Sequence, residues 1–197
     1  MTEKEKCALG ILYDANYDPQ LLADRDRCKD ICFAYNNTLP SQLHTRKELL
    51  RGLFGKIQGD FVIQAPFWCD YGYNIELGNN FYANHNLMIL DGAKVKFGDN
   101  VFIAPDCGFH TAGHPVDPER RNRGLEYAWP ITVGDNVWIG AGVQVCPGVT
   151  IGSNVVIGAG SVVTRNIPDN VIAVGNPCRV LREITEEERS KEYKRKV

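Results

Sequence analysis

Three of the four histidines, His85, His110 and His114, carry the chemistry open to this chain. An imidazole near its ordinary pKa can take a proton at neutral pH, so one placed histidine can activate a weak nucleophile. Three together can instead hold a zinc ion. His110 and His114 open the 21-residue segment 110–130, which also carries Arg120, Arg121, Arg123 and Glu126. A second feature has no reactive atom. Ala141 and Ala159 each follow a glycine and stand 18 residues apart. If they stack, they leave a shallow groove in which a long thin ligand can lie on backbone N–H and C=O groups. The seven cysteines include no Cys-x-x-Cys pair, which fits packing roles and reduced thiols in a cytoplasm.

The element that must position these residues is a repeat of six. Val137-Trp-Ile-Gly-Ala-Gly142 is followed by Val143-Gln-Val-Cys-Pro-Gly148, Val149-Thr-Ile-Gly-Ser-Asn154 and Val155-Val-Ile-Gly-Ala-Gly160. Positions one and three are aliphatic and share one face of a short strand. The sixth is Asn, Gly or Asp in twelve hexads: Asn74, Asn80, Asn86, Gly92, Asn100, Asp106, Asn136, Gly142, Gly148, Asn154, Gly160 and Asn166. These types tolerate positive φ, so each hexad reads as a strand and a sharp corner. About 15 hexads run in register. Hexads starting at Ile57, Ile63 and Cys69 open the series, Ala93-Lys94 is an insertion, and 110–130 interrupts it. Three strands per triangular coil make residues 18 apart neighbours and give roughly five coils. The expected organisation is a non-repetitive helical segment over 1–56, a parallel β-helix over 57–176 with an excursion loop at 110–130, and a tail and helix over 177–197.

Around that solenoid, Pro19 opens a helix carrying Leu21, Leu22, Cys28, Ile31, Cys32 and Tyr35. Ser41 is expected to cap a second helix that Gly55 ends, and Thr185-Glu-Glu-Glu188 is a capping box for a last one. Outward residues Tyr82, Met88, Phe102, Trp138 and Val156 need cover, which a closed three-fold ring supplies. A net charge of −2 gives no footprint for nucleic acid. The charged start has no apolar h-region and no apolar run is long enough to span a bilayer, so no membrane partner is expected and the cytoplasm is the expected compartment.

Phe81-Tyr-Ala-Asn84, Thr111-Ala-Gly-His-Pro115, Gly124-Leu-Glu-Tyr127, Val137-Trp-Ile-Gly140 and Gly175-Asn-Pro-Cys-Arg179 stand in this order along the chain. This resembles the hexapeptide-repeat acetyltransferases of the maltose and galactoside O-acetyltransferase group. Cys69-Asp-Tyr-Gly72 looks more like the maltose branch. The resemblance implies a left-handed parallel β-helix, a homotrimer with sites between subunits, acetyl-CoA as co-substrate without a metal, and a small sugar as acceptor. By the same resemblance His114 is the catalytic general base, with direct transfer and no covalent enzyme intermediate. Asp14, Asp70, Tyr82, Asn84, Asp91 and Glu126 fall at or near acceptor positions. Asp70 is read as the outward middle residue of its strand. A family acceptor carboxylate falls at Gly92, beside Asp91. Asn84, Trp138, Ala141, Ala159, Thr164, Arg165, Arg179 and Arg182 fall at CoA positions, the arginines supplying charge for its phosphates. The oxyanion donor is sought among backbone N–H groups in the turn after Trp138. Other readings are a galactoside, lipo-chitooligosaccharide, amino-sugar or antibiotic acceptor, a γ-type zinc carbonic anhydrase using His85, His110 and His114, and a scaffold without activity.

Overall fold

The hexads fold because a closed coil has one interior, and only positions one and three can point into it. The computed structural model describes residues 1–193. Strands β1 (Tyr13–Asp14), β2 (Lys56–Ile57), β3 (Phe61–Ile63) and β4 (Phe67–Cys69) come first, the last three making one coil. The second coil is β5 (Ile75–Leu77), β6 (Phe81–Ala83) and β7 (Leu87–Leu90). The third is β8 (Val95–Phe97), β9 (Phe102–Ile103) and β10 (Gly108–His110). Strands β11 (Ala112–Gly113) and β12 (Leu125–Ala128) belong to the excursion. The fourth coil is β13 (Ile131–Val133), β14 (Trp138–Ile139) and β15 (Gln144–Val145), and the fifth is β16 (Thr150–Ile151), β17 (Val156–Ile157) and β18 (Val162–Val163). Ile167, bridged to Ile151, and β19 (Val171–Val174) begin a sixth, closed by antiparallel β20 (Arg179–Glu183).

Parallel pairing stacks the coils into three faces: β2-β5-β8-β13-β16, β3-β6-β9-β14-β17-β19-β20 and β4-β7-β10-β15-β18. The architecture is the parallel β-helix expected, with a sixth turn begun. Its core is one continuous stack including Phe67, Phe81, Phe97, Phe109, Ile139 and Ile157.

The three faces differ outside. The first presents Lys56, Glu76, Lys96, Thr132 and Thr150 in register. The second presents Val62, Tyr82, Phe102, Trp138, Val156 and Ile172. The third carries Trp68 and Met88. Phe102 is 44% exposed and Trp138 57%. A polar face therefore stands against an apolar one, within one solenoid.

The register of the first coil departs from expectation. Phe61 and Ile63, then Phe67 and Cys69, are the inward pairs. The hexads thus start at 61 and 67 rather than 57, 63 and 69, and Cys69 holds the third position rather than the first. Val62 and Trp68 are outward middle residues, which is why neither is a turn type. Asp70 lies beyond the end of β4, in the corner, not in mid-strand. Coils are spaced 20 residues apart here, as in Phe61 with Phe81, and 18 only later, as in Trp138 with Val156. Nine of the twelve expected corner residues have positive φ; Asn74, Gly92 and Asn166 do not. Gly72 and Asn170 take left-handed corners instead, at φ 76° and 61°.

Among the described residues there are also five helices: α1 (Glu3–Ala8), α2 (Pro19–Asn37), α3 (Leu43–Arg51), α4 (Pro118–Asn122) and α5 (Glu186–Arg189). Asp18 caps α2 by accepting from the Leu21 N–H at 2.9 Å. Ser41 and Gly55 do not bound α3: Gln42 and Gly52 do. The capping box at Thr185 forms, but α5 is only four residues long, and the tail beyond 193 lies outside the described residues. The excursion is not structureless. β11 and β12 pair, and β12 pairs with β1, 113 positions back at Tyr13↔Glu126. A small second core of Cys7, Tyr13, Ala15, Leu21, Tyr71 and Ala128 seals this sheet to the solenoid.

Candidate functional site

All three lengthened connections occur at one corner, where the third face turns into the first. A regular corner is three residues, as in Asn84-His85-Asn86 between Ala83 and Leu87. Residues 70–74 and 90–94 extend it in the first two coils, and 111–130 does so in the third. Asp14, Asp70, Asp91, His114 and Glu126 all gather at this corner.

His114 follows β11, and its position depends on the residue before it. A Cβ on Gly113 would come within 2.5 Å of the Tyr127 ring, so glycine leaves the space in which that ring lies. The ring's Nδ1 donates to the Leu125 carbonyl at 3.1 Å, which fixes the proton there in the neutral form. Nε2 then carries no proton and is open to accept one, with Glu126 Oε1 3.8 Å away. Glu126 is fixed in turn by Tyr13, whose hydroxyl donates to Oε2 at 3.3 Å. Burial above all, then the Cys7 and Glu126 neighbours, pushes the Tyr13 phenol far up, so it stays a donor. The His114 side chain is about half exposed. The site is thus a solvent-facing imidazole with an assigned proton, beside an oriented carboxylate.

The other acidic residues divide. Asp70 is half-buried, and its carboxyl is raised by desolvation, Arg25 opposing. Asp91 is fully buried. It accepts the N–H groups of Asp70 and Tyr71 at 3.0 and 2.9 Å, so it shapes the turn that presents Asp70 rather than meeting a ligand itself. Asp14 Oδ1 likewise accepts the Asn16 and Tyr17 N–H groups of its own turn, at 3.1 and 2.9 Å. At Gly92 a Cβ would meet the Tyr13 hydroxyl at 3.2 Å and Ala128 Cβ at 3.3 Å, so a side chain there requires these neighbours to shift by a few tenths of an ångström.

Burial pushes Asp91 up to about 7. The raised value means that the folded state holds this proton more tightly than the unfolded one. Its contribution is present below the ordinary carboxylate range and is lost as pH rises through 7. Asp91→Asn cannot ionise. Its melting temperature relative to the parent should therefore improve as pH rises from about 4 to 8; a pH-independent difference would mean that Asp91 does not titrate in the fold.

The remaining residues lie elsewhere. Tyr82 and Trp138 lie on the second face, and Asn84, Ala141 and Ala159 at the corner joining the second face to the third. Asn84 Oδ1 accepts the His85 N–H at 2.8 Å, which turns its NH2 outward. Ala141 and Ala159 stack one coil apart: the Gly160 N–H donates to the Ala141 carbonyl at 2.8 Å. Both are exposed, and a Cβ on Gly160 would meet nothing within 4 Å. The floor is closed and the outside open, as a groove requires. Arg179 opens β20 opposite Val174, which contacts the Gly158 position, so it stands near this groove. Arg182 is engaged differently, in a two-pronged ion pair with Glu188 that holds that carboxyl down at about 2. Thr164 and Arg165 follow β18 and share the corner of His114 instead. One chain therefore places the imidazole and the groove at different corners, with the third face between them.

Among the described residues the histidines do not converge on a metal site within one chain. His110 Nε2 pairs with Gln144 Oε1 at 2.8 Å, and His85 Nδ1 with the Ala65 carbonyl. Sequence reasoning placed Tyr13, with Asp14, near an acceptor position; its bond to Glu126 appears only through the pairing of β1 with β12, and the Leu125 carbonyl, which it did not assign, through the pairing of β11 with β12.

A triangular solenoid of hexads, with an imidazole-bearing excursion at one corner and stacked small residues at another, defines a hexapeptide-repeat transferase. Comparison with known proteins agrees. Residues 6–59 match the maltose acetyltransferase hexapeptide capping motif, and 130–165 match the bacterial transferase hexapeptide (six repeats). The Saccharomyces cerevisiae protein "Putative acetyltransferase YJL218W" is 57% identical over 184 residues, 93% of this chain and 94% of its own. The crystal structure of a maltose O-acetyltransferase from Clostridium difficile 630 is 51% identical, with a TM-score of 0.91 over 94% of this chain and 99% of that one. A galactoside acetyltransferase in complex with coenzyme A is 43% identical, with a TM-score of 0.94 over 98% and 96%. The chain belongs to the hexapeptide-repeat acetyltransferases, in the maltose and galactoside acetyltransferase group. Among the described residues no helix is long and apolar enough to cross a membrane.

Proposed function

We propose that this acetyltransferase moves the acetyl group of acetyl-CoA to a hydroxyl of a small sugar of the maltose or glucose type, with His114 as general base. The observation that carries the reading is the Nδ1–H bond to Leu125, which leaves Nε2 free to accept a proton. The sugar oxygen attacks the thioester carbonyl carbon as its proton passes to Nε2. The tetrahedral oxyanion collapses, the C–S bond breaks, and the CoA sulfur leaves, taking the proton back. Glu126 orients the imidazole and stabilises its cationic form, and Asp70 meets acceptor hydroxyls. In the turn after Trp138, the N–H groups of Gly140 and Gly142 already donate to the Ile157 and Pro105 carbonyls. That leaves the Ala141 N–H as the oxyanion donor there. No metal takes part.

The donor lies along Ala141 and Ala159, with Arg179 near the phosphates and Arg165 contributing from another corner. Arg182 reaches CoA only by leaving Glu188. The coenzyme A complex of the galactoside acetyltransferase supports a CoA site in this chain. The imidazole and the groove occupy different corners, and the apolar second face is uncovered. A homotrimer answers both, each site taking His114 from one chain and the groove from its neighbour. Sedimentation should show the active species as a trimer; an active monomer removes the shared site.

Acetyl-CoA consumption against a panel of sugars, amino sugars and hydroxylated antibiotics tests the acceptor. Turnover with maltose or glucose is expected. A rate confined to the antibiotics overturns the sugar assignment, and hydrolysis of acetyl-CoA without any acetylated product overturns the transfer. Turnover should be unchanged in EDTA. Activity lost to the chelator and restored by zinc would show a metal-dependent reaction instead.

A further inference from the structure

Three thiols meet where α2 lies on the solenoid. Cys28 and Cys32 are one turn apart on α2 and share a face. Cys69 ends β4 beneath them. The Cys69 sulfur lies 3.4 Å from that of Cys28 and 3.9 Å from that of Cys32. All three sulfurs fall within 4.8 Å of one another, and no other trio of His, Cys, Asp or Glu ligand atoms converges so among the described residues. Each residue is 5% exposed or less.

This spacing has a use. Zinc–sulfur bonds of about 2.3 Å, arranged tetrahedrally, set their sulfurs about 3.8 Å apart. The two spacings to Cys69 are within tenths of an ångström of that geometry, and the Cys28 and Cys32 sulfurs, no more than 4.8 Å apart, need close by at most about an ångström. A disulfide needs its sulfurs near 2 Å, so Cys69 would have to close on one partner by more than an ångström. Soft sulfur ligands select d10 cations over magnesium or calcium.

We propose that Cys28, Cys32 and Cys69 form a structural site for one thiophilic d10 cation, Zn²⁺ or Cu⁺, which ties α2 to the first coil. Three sulfur–metal bonds replace the S–H bonds, the protons leave to solvent, and no electron is transferred. The site lies inside the core behind the Asp70 turn and does not touch the reacting groups. It is independent of the acyl transfer.

The test uses reduced full-length protein, handled without oxygen and equilibrated with Zn²⁺ alone or Cu⁺ alone. Elemental analysis should find one equivalent of at least one metal per chain. The melting temperature should stand several degrees above that of chelator-treated protein. Cys69→Ala and Cys32→Ala should lower the affinity at least tenfold, and Cys146→Ala should not. The wild-type stoichiometry is decisive even if a variant fails to fold. Uptake of neither metal overturns the site, as does equal uptake by a folded Cys69→Ala protein. A Cys28–Cys69 disulfide in air-purified protein that holds no metal does the same. Acetyl transfer should be indifferent to the metal's removal, and a rate that follows the metal content overturns the structural role.

Discussion

His114→Ala should lower kcat by about 10²–10⁴, the range expected when a general base is removed from proton transfer. The KM for acetyl-CoA should barely change, because the proposed groove along Ala141 and Ala159 of the neighbouring chain keeps its own contacts to the donor. Nothing in the side chain's surroundings predicts a folding cost. It is about half exposed, and its one hydrogen bond is to the Leu125 carbonyl, which β12 already positions. Circular dichroism and sedimentation should match the parent. The comparison with Glu126→Gln separates two roles. The amide keeps the shape and an acceptor for the Tyr13 hydroxyl but loses the charge that stabilises the imidazolium. A smaller loss in kcat is expected, with no change in acetyl-CoA binding. Near-normal turnover by a correctly folded His114→Ala enzyme would remove this residue from the mechanism.

The solenoid was legible because its interior admits nothing but positions one and three. From Ile75 onward every inward pair falls where the repeat puts it, down to Val163, which is fully buried. The error before Ile75 has a physical origin. Ile57, Ile63, Cys69 and Ile75 are six apart, so they read as one phase. The first three are third positions, and Ile75 is a first position. The two extra residues between Cys69 and Ile75 convert one phase into the other without breaking the run of apolar residues. Only the stacking of Phe61 on Phe81 exposes the insertion. The same slip moved Asp70 from a strand into a corner.

The site was legible in its parts and not in its assembly. His114 stood out because a solenoid has no use for the segment that holds it. Glu126 stood in the same segment, and the pairing of β11 with β12 brings it and the Leu125 carbonyl to the imidazole; what was hidden is Tyr13, which reaches Glu126 because β12 also pairs with a distant two-residue strand. Asp91 shows the opposite case. As a carboxylate beside Gly92 it looked like a ligand contact, yet burial and two backbone N–H groups make it a brace. Cys28 and Cys32 have visible helical spacing, but nothing local to Cys69 places it beneath them. In each case the missing information is a contact between distant segments. The three lengthened connections are what concentrate such contacts at one corner.

Ala159→Leu should leave the fold intact and spoil the donor site. Ala159 is exposed at its corner, and the neighbouring Gly160 position has open space outside it, so the larger side chain projects from the prism. The melting temperature and the trimer should be near normal. The channel along Ala141 and Ala159 is then blocked where the pantetheine arm has to lie, so the KM for acetyl-CoA rises by about tenfold or more, as expected when more than 1.4 kcal/mol of binding is lost. The acceptor KM changes much less, because Asp70 and Glu126 stand at the other corner. Val155→Phe is the control with the opposite logic. Val155 is 1% exposed and points into the coil, so the added ring overpacks a filled interior at a cost of about 1–3 kcal/mol. That protein should melt earlier while any folded fraction binds acetyl-CoA normally. Measuring both variants by thermal unfolding and by acetyl-CoA titration separates groove from core. If Ala159→Leu binds acetyl-CoA as well as the parent, or unfolds as Val155→Phe should, the donor does not lie along the stacked alanines.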